Sequence, residues 1–154
     1  MQFMPDSPTQ TEPAGAESDA AAPVRVLIVE DEALVGAYIA DVLNETGFQV
    51  IGIASTGREA LTIARDSGAD IALVDITLAG PLDGIEVACF IRQLYGIGTI
   101  FLSGASDPEV VARADQAQPY GFLRKPFRPG QMYNMLTQAL ARRAEQQQAQ
   151  RPAS

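Results

Sequence analysis

Short apolar runs rich in β-branched residues alternate along the chain with longer stretches of helical periodicity. The first run, VRVLIV (residues 24–29), has no polar alternation and predicts a strand. In residues 32–47, Leu34, Val35, Tyr38, Ile39, Val42 and Leu43 mark one helical face, and Gly47 is placed to end the helix. FQVIGIA (48–54) reads as a second strand, and residues 57–68 as a second helix closed by glycine. DIALVDI (70–76) is a third strand, followed by a helix over 83–96 and a fourth strand, GTIFLSG (98–104). Residues 107–117 make a weaker helix with Pro108 in its first turn, and YGFLRK (120–125) a short fifth strand. The last helix, from residue 128 to 146, carries Met132, Met135, Leu136, Ala139 and Leu140 on its buried stripe. Five strands alternating with five helices imply parallel strands joined by crossovers, an α/β doubly wound sheet. Runs such as VLIV and IALV, apolar throughout, fit a sheet covered by helices on both faces.

Outside this alternation lie two tails. Residues 1–23 are rich in Pro, Ala, Ser and acids with almost no large aliphatics, and are expected to be disordered. Apolar spacing is lost after Leu140, so the last helix is expected to fray near Gln148 and leave a tail over 147–154. The folded domain is therefore expected to span 24–146. With 154 residues and 47% apolar content, a single core is the natural expectation.

Charge and composition then remove whole classes of function. A formal net charge of -8 disfavours direct binding to a nucleic-acid backbone, which needs clustered Lys and Arg. One cysteine, Cys89, forbids an internal disulfide framework and every cysteine-rich metal motif. The absence of histidine takes the key residue from metalloprotease, zinc-finger and Ser-His-Asp readings. No stretch is long and apolar enough to span a membrane. The N-terminus, with Asp6, Glu12, Glu17 and Asp19, is unlike a signal peptide, so a cytoplasmic location is expected.

Ligands of open parallel sheets bind outside the carboxyl ends of the strands. There the first strand ends in Glu30, Asp31 and Glu32, the third in Asp75, the fourth in Ser103, and the fifth in Lys125. Acids after the first strand could simply cap the following helix. Asp75 is less easily explained, because a charge after IALV pays for desolvation unless something compensates it. Mutually repelling carboxylates call for a hard divalent cation such as Mg2+, which takes oxygen ligands. Lys125 is the only lysine in the chain, against ten arginines. As a compact, mobile point charge it suits an incoming phosphoryl oxygen. Ser103 could cap the next helix or donate to that same oxygen. Together the groups suit phosphoryl transfer, with Asp75 as the attacking carboxylate. Neither GxxxxGK[ST] nor GxGxxG occurs, so the donor is expected to be a small molecule or a protein.

The stretches VLIVEDE, DIALVDITLAGPLDGIEVA, TIFLSGASD and FLRKPF, in this order and spacing, resemble a bacterial two-component response-regulator receiver domain over about residues 24–146. The resemblance implies a flavodoxin-like, CheY-like strand order of 2-1-3-4-5. It places the phosphoacceptor on Asp75 and its acidic partners on Glu30 and Asp31. The Thr77 main-chain carbonyl would complete the protein's share of a Mg2+ shell, with Mn2+ as the substitute ion. The switch hydroxyl falls on Ser103, the switch aromatic on Phe122 and the phosphate-binding lysine on Lys125, whose bond to Pro126 would be cis. The implied partners are a histidine kinase or histidine phosphotransfer protein, and a downstream protein met by the face of the fourth helix, fifth strand and fifth helix. Dimerisation through the last helix is an alternative with no specific residue behind it. Gly80 and Pro81 occupy a loop where a Met-Pro pair is common. No output domain follows, so a stand-alone receiver that signals by protein binding is expected.

Two other readings compete. One is a degenerate receiver that docks partners without being phosphorylated, against which the complete set of Glu30, Asp31, Asp75, Ser103 and Lys125 argues. The other is a haloacid-dehalogenase-type phosphatase, which is disfavoured. It would want an aspartate where Thr77 stands, and a nucleophile on the first strand rather than the third.

Overall fold

The computed structural model describes residues 22–104 and 108–150. The tail expected over 1–23 lies almost wholly outside them, as do 105–107 and 151–154. The elements run β1 (Arg25–Val29), α1 (Ala33–Glu45), β2 (Gln49–Ala54), α2 (Gly57–Ser67), β3 (Ile71–Asp75), α3 (Gly84–Tyr95), β4 (Gly98–Ser103), α4 (Pro108–Ala114), β5 (Gly121–Arg124) and α5 (Pro129–Gln150). All four ladders are parallel, in the order β2-β1-β3-β4-β5, as the apolar runs and the resemblance imply.

Alternation along the strands divides the core in two. Leu27, Val29, Ala72, Val74 and Phe101 pack with Ala60 and Ala64 of α2 and with Val87, Ala88 and Ile91 of α3. Val26, Ile28, Leu73, Ile100 and Leu102 point the other way, against Ile39, Val42 and Leu43 of α1 and Met132, Leu136 and Ala139 of α5. The inner strands β1, β3 and β4 thus bury both faces, which is why their sequences show no polar alternation. No described helix is long and apolar enough to cross a membrane.

The structure departs from the periodicity in three places. Residues 115–117, expected to continue the fourth helix, form a 3-10 turn that ends at Gln118 in a left-handed conformation ahead of Pro119. Helix α5 continues past Gln146, because its polar last turns still close backbone bonds. Between Val26 and Leu27 the register with the edge strand β2 shifts, beside Gly52.

Helix α3 begins at the edge where the acids gather, and its start is firmly set. Asp83 accepts from the Glu86 N–H, while the Glu86 side chain accepts from the Asp83 N–H, both at 2.9 Å. Gly96 closes the other end in the left-handed region. Arg113 of α4 adds an ion pair to Asp83 at 2.6 Å. Partial burial works against the Asp83 carboxylate, but Arg113 and the capping N–H bonds outweigh it and hold its pKa below the ordinary value. A carboxylate with a lowered folded-state pKa contributes stability above its unfolded pKa and loses it as pH falls through the folded value. Asp83→Ala should therefore lower stability by about 1 kcal/mol at neutral pH. That difference should shrink as pH drops below the ordinary aspartate value, which urea unfolding midpoints across pH would show.

Candidate functional site

The carboxyl ends of β1, β3, β4 and β5 bring the expected residues to one edge. Glu30 follows β1 and is only 1% exposed, and Asp75 ends β3 at 3% exposed. Asp31 is exposed beside them, and its Oδ2 accepts from the Ala79 N–H at 3.1 Å. Carboxylate oxygens of Glu30, Asp31 and Asp75 lie within 4.8 Å of one another. Capping does not explain these acids. Glu32, the residue before α1, makes no side-chain cap bond, and Glu30 Oε2 instead accepts from the Glu32 N–H at 3.2 Å.

Lys125 reaches this cluster from the end of β5. Its Nζ donates to Glu30 Oε1 at 3.0 Å and stands 3.5 Å from Asp75 Oδ2. Its backbone N–H donates to the Ser103 carbonyl at 2.8 Å, which ties the ends of β4 and β5 together. The Lys125–Pro126 peptide bond is cis. Burial pushes the Glu30 carboxyl above its ordinary value, only partly offset by its bonds to Lys125 and the Glu32 N–H. Burial works against the Lys125 ammonium, yet the Glu30 bond and the Asp75 charge outweigh it and raise its pKa. The ammonium therefore stays charged at neutral pH.

Thr77, for which the resemblance implied a role only for the carbonyl, binds Asp75 through two other groups. Its backbone N–H and its hydroxyl both donate to Asp75 Oδ1 at 2.9 Å. One oxygen of Asp75 is thereby fixed, and the other, Oδ2, is the one that faces Lys125. The sequence signal was a hydroxyl two residues past the aspartate, a spacing at which side chain and backbone can bind the same oxygen.

Ser103 is buried at the end of β4, in register with Arg124. Phe122 is half-buried and stacks on Phe101, with ring centroids 5.8 Å apart. Two residues expected on the buried face of α1 are not there: Leu34 is 86% exposed and Tyr38 is 44% exposed. They line a cavity of about 630 Å3 with Val35, Phe127, Gly104 and Lys125 itself. The mouth of the acidic cluster is thus apolar on the α1 side. Sequence periodicity missed this because it registers spacing, and Leu34 keeps helical spacing in the first turn of α1 while nothing packs over it.

An all-oxygen donor set this compact fits a hard divalent cation, and among the described residues no nitrogen or sulfur ligand stands with it. Three carboxylates and one ammonium leave the edge two negative charges in excess. It is therefore built to accept positive charge, or a cation together with an anion.

Known proteins similar to this chain cover most of its described length. The family profile described as "Response regulator receiver domain" matches residues 26–137. "Transcriptional regulatory protein PdtaR" of Mycobacterium tuberculosis is 36% identical over 111 residues, covering 72% of this chain and 54% of that protein. This chain thus spans about half the length of that relative. "Chemotaxis protein CheY" of Thermotoga maritima is 31% identical over 113 residues, covering 73% of this chain and 93% of CheY. Among solved structures, the signal receiver domain of a modulated diguanylate cyclase from Desulfovibrio desulfuricans superposes with a TM-score of 0.76. Its identity is 35%, over 79% of this chain and 97% of that one.

The geometry also makes Gly84 a fixed requirement. A Cβ there would lie 2.0 Å from the Asp75 carbonyl oxygen, and neither backbone can yield cheaply. Gly84→Ala should lower stability by roughly 1–3 kcal/mol, the range for overpacking. Gly130→Ala, where a Cβ meets nothing within 4 Å, should change it little. Urea unfolding midpoints of the two variants compare them directly.

Proposed function

The chain belongs to the response-regulator receiver domain family, and on that premise we propose that it takes a phosphoryl group onto Asp75 from a histidine-bearing protein. The observation that carries this reading is the asymmetry of Asp75. Oδ1 is held by two Thr77 donors, while Oδ2 faces the only lysine in the chain. In the proposed step Oδ2 forms a bond to phosphorus, the P–N bond to imidazole breaks, and its electron pair returns to the ring nitrogen. Lys125 receives a phosphoryl oxygen, exchanging part of its contact with Glu30 for that charge. Asp31, Asp75 and the Thr77 main-chain carbonyl would hold Mg2+, with Glu30 behind them; Mn2+ would suit the same oxygens. When bound, that cation neutralises the carboxylates and the phosphoryl oxygens.

A protein donor also needs a landing surface. The exposed Leu34, with Tyr38 and Phe127, forms an apolar rim continuous with Lys125, and we assign donor docking to it. Output follows the family pattern, in which Ser103 and Phe122 respond to the new phosphoryl group and remodel the face of α4, β5 and α5. A downstream protein, or a second copy of the chain, would read that face. Pure docking without phosphorylation is the rival reading, and the same experiment decides between them.

Incubation with acetyl phosphate and Mg2+ should add one phosphoryl mass to the intact protein, labile at alkaline pH, and none to Asp75→Asn. Absence of the adduct, together with failure to bind beryllofluoride, would leave docking alone as the function. Leu34→Asp should keep the acetyl phosphate adduct yet slow transfer from a phosphohistidine protein by at least roughly tenfold, the scale of a lost interface anchor. Equal transfer rates would move the docking surface elsewhere.

A further inference from the structure

At the opposite edge of the sheet, the amino ends of β4 and β5 open onto a cavity of about 880 Å3. It lies between the end of α3 and the later turns of α5, and Arg92, Gln118, Tyr120, Arg142, Arg143 and Gln146 line it. We propose that this cavity binds a small phosphate-bearing anion.

The charge balance points to an anion. Arg92 donates to the Gln118 side-chain oxygen, and Arg142 donates to the Tyr120 carbonyl at 2.6 Å; both acceptors are neutral. Among the described residues, neither guanidinium has a carboxylate within ion-pair distance. Arg143 has Asp70 at 3.5 Å, and Asp70 also accepts the Arg25 N–H at 2.9 Å. Three guanidiniums therefore line the cavity against one shared carboxylate, in a chain whose net charge is -8. The helix dipole favours a cation in the last turn of α3, which accounts for Arg92. It does not account for Arg142 and Arg143, which lie in the interior of α5.

The cavity is also organised in advance. The Arg142 guanidinium sits 5.4 Å over the Tyr120 ring while bonded to the carbonyl of the same residue. That ring rests on Gly98, where a Cβ would come within 2.2 Å of it. Ring and guanidinium thus hold each other in place, which lowers the ordering cost of binding. Guanidinium forks match phosphate oxygens, and a phosphate group carries close to two charges, as many as stand uncompensated here. The Gln146 and Gln147 amides offer further donors. The volume falls in the range of small-molecule sites.

The test is titration of the full chain, without divalent cation, with pyrophosphate and in parallel with ATP. Arginine side-chain N–H resonances are followed by NMR. Saturable shifts of the Arg92 and Arg142 signals are expected. Affinity should fall roughly tenfold in Arg142→Gln and again in Arg92→Gln, the cost of one charge-assisted bond each. Both variants should keep urea unfolding midpoints close to that of wild type, which shows that they fold. Asp75→Asn should bind the anions as wild type does, so this result stands whether or not Asp75 is a phosphoacceptor. Tighter binding of ATP would assign a nucleotide, and equal binding the phosphate groups alone. The proposal is overturned if no saturable shift occurs, if the arginine substitutions leave affinity unchanged, or if Asp75→Asn abolishes binding.

Discussion

Three carboxylates held within 4.8 Å of one another repel, and a single ammonium bridges two of them. Two of them, Glu30 and Asp75, are buried, where water can do little to screen them. Removing Lys125 would leave both without that counter-charge, and the ends of β1 and β3 would repel each other directly. The same tension keeps the edge ready for chemistry. A group that brings positive charge relieves it, and an anion can enter only with such a group. The pinning of Asp75 Oδ1 by Thr77 adds direction, because only Oδ2 remains to respond.

Topology is what makes so small a cluster feasible. Parallel strands in the order 2-1-3-4-5 put β1 beside β3 at the centre and bring their carboxyl ends together without any local turn. Lys125 comes from two strands away, and the bond from its N–H to the Ser103 carbonyl fixes where β5 delivers it. Gly84 sets the remaining constraint. By letting α3 start against the Asp75 carbonyl, it brings the helix N-terminus to the edge where a phosphoryl anion would sit.

Much of this was legible in the sequence, and what was not has identifiable causes. Apolar runs without alternation, as in IALV, could only mean strands buried on both faces, so the fold class followed directly. Asp75 stood out because a charge after such a run is costly, and Lys125 because the chain has no other lysine. The hydroxyl bond from Thr77, by contrast, depends on a rotamer that no spacing reveals. Leu34 and Tyr38 kept helical periodicity and were still left uncovered, because burial depends on what packs opposite. The register shift beside Gly52 was equally silent, since edge strands tolerate irregularity that central ones do not. The arginines of the second cavity are fifty residues apart in the chain, from Arg92 to Arg142, and only the fold brings them together.

The two edges of the sheet carry opposite charge, and the direction of the chain explains part of this. With every strand parallel, helix N-termini collect at the carboxyl edge and helix C-termini at the other. N-termini offer unpaired N–H groups that favour anions, which suits a single carboxylate at this edge. Three of them within 4.8 Å of one another still repel, so their clustering goes beyond what a helix end rewards. At the far edge the C-terminus of α3 welcomes Arg92, but Arg142 and Arg143 arrive midway along α5 with no such help. In both places the side chains exceed what secondary structure asks for. That excess separates a site from a helix end, and it is opposite in sign at the two ends of one sheet.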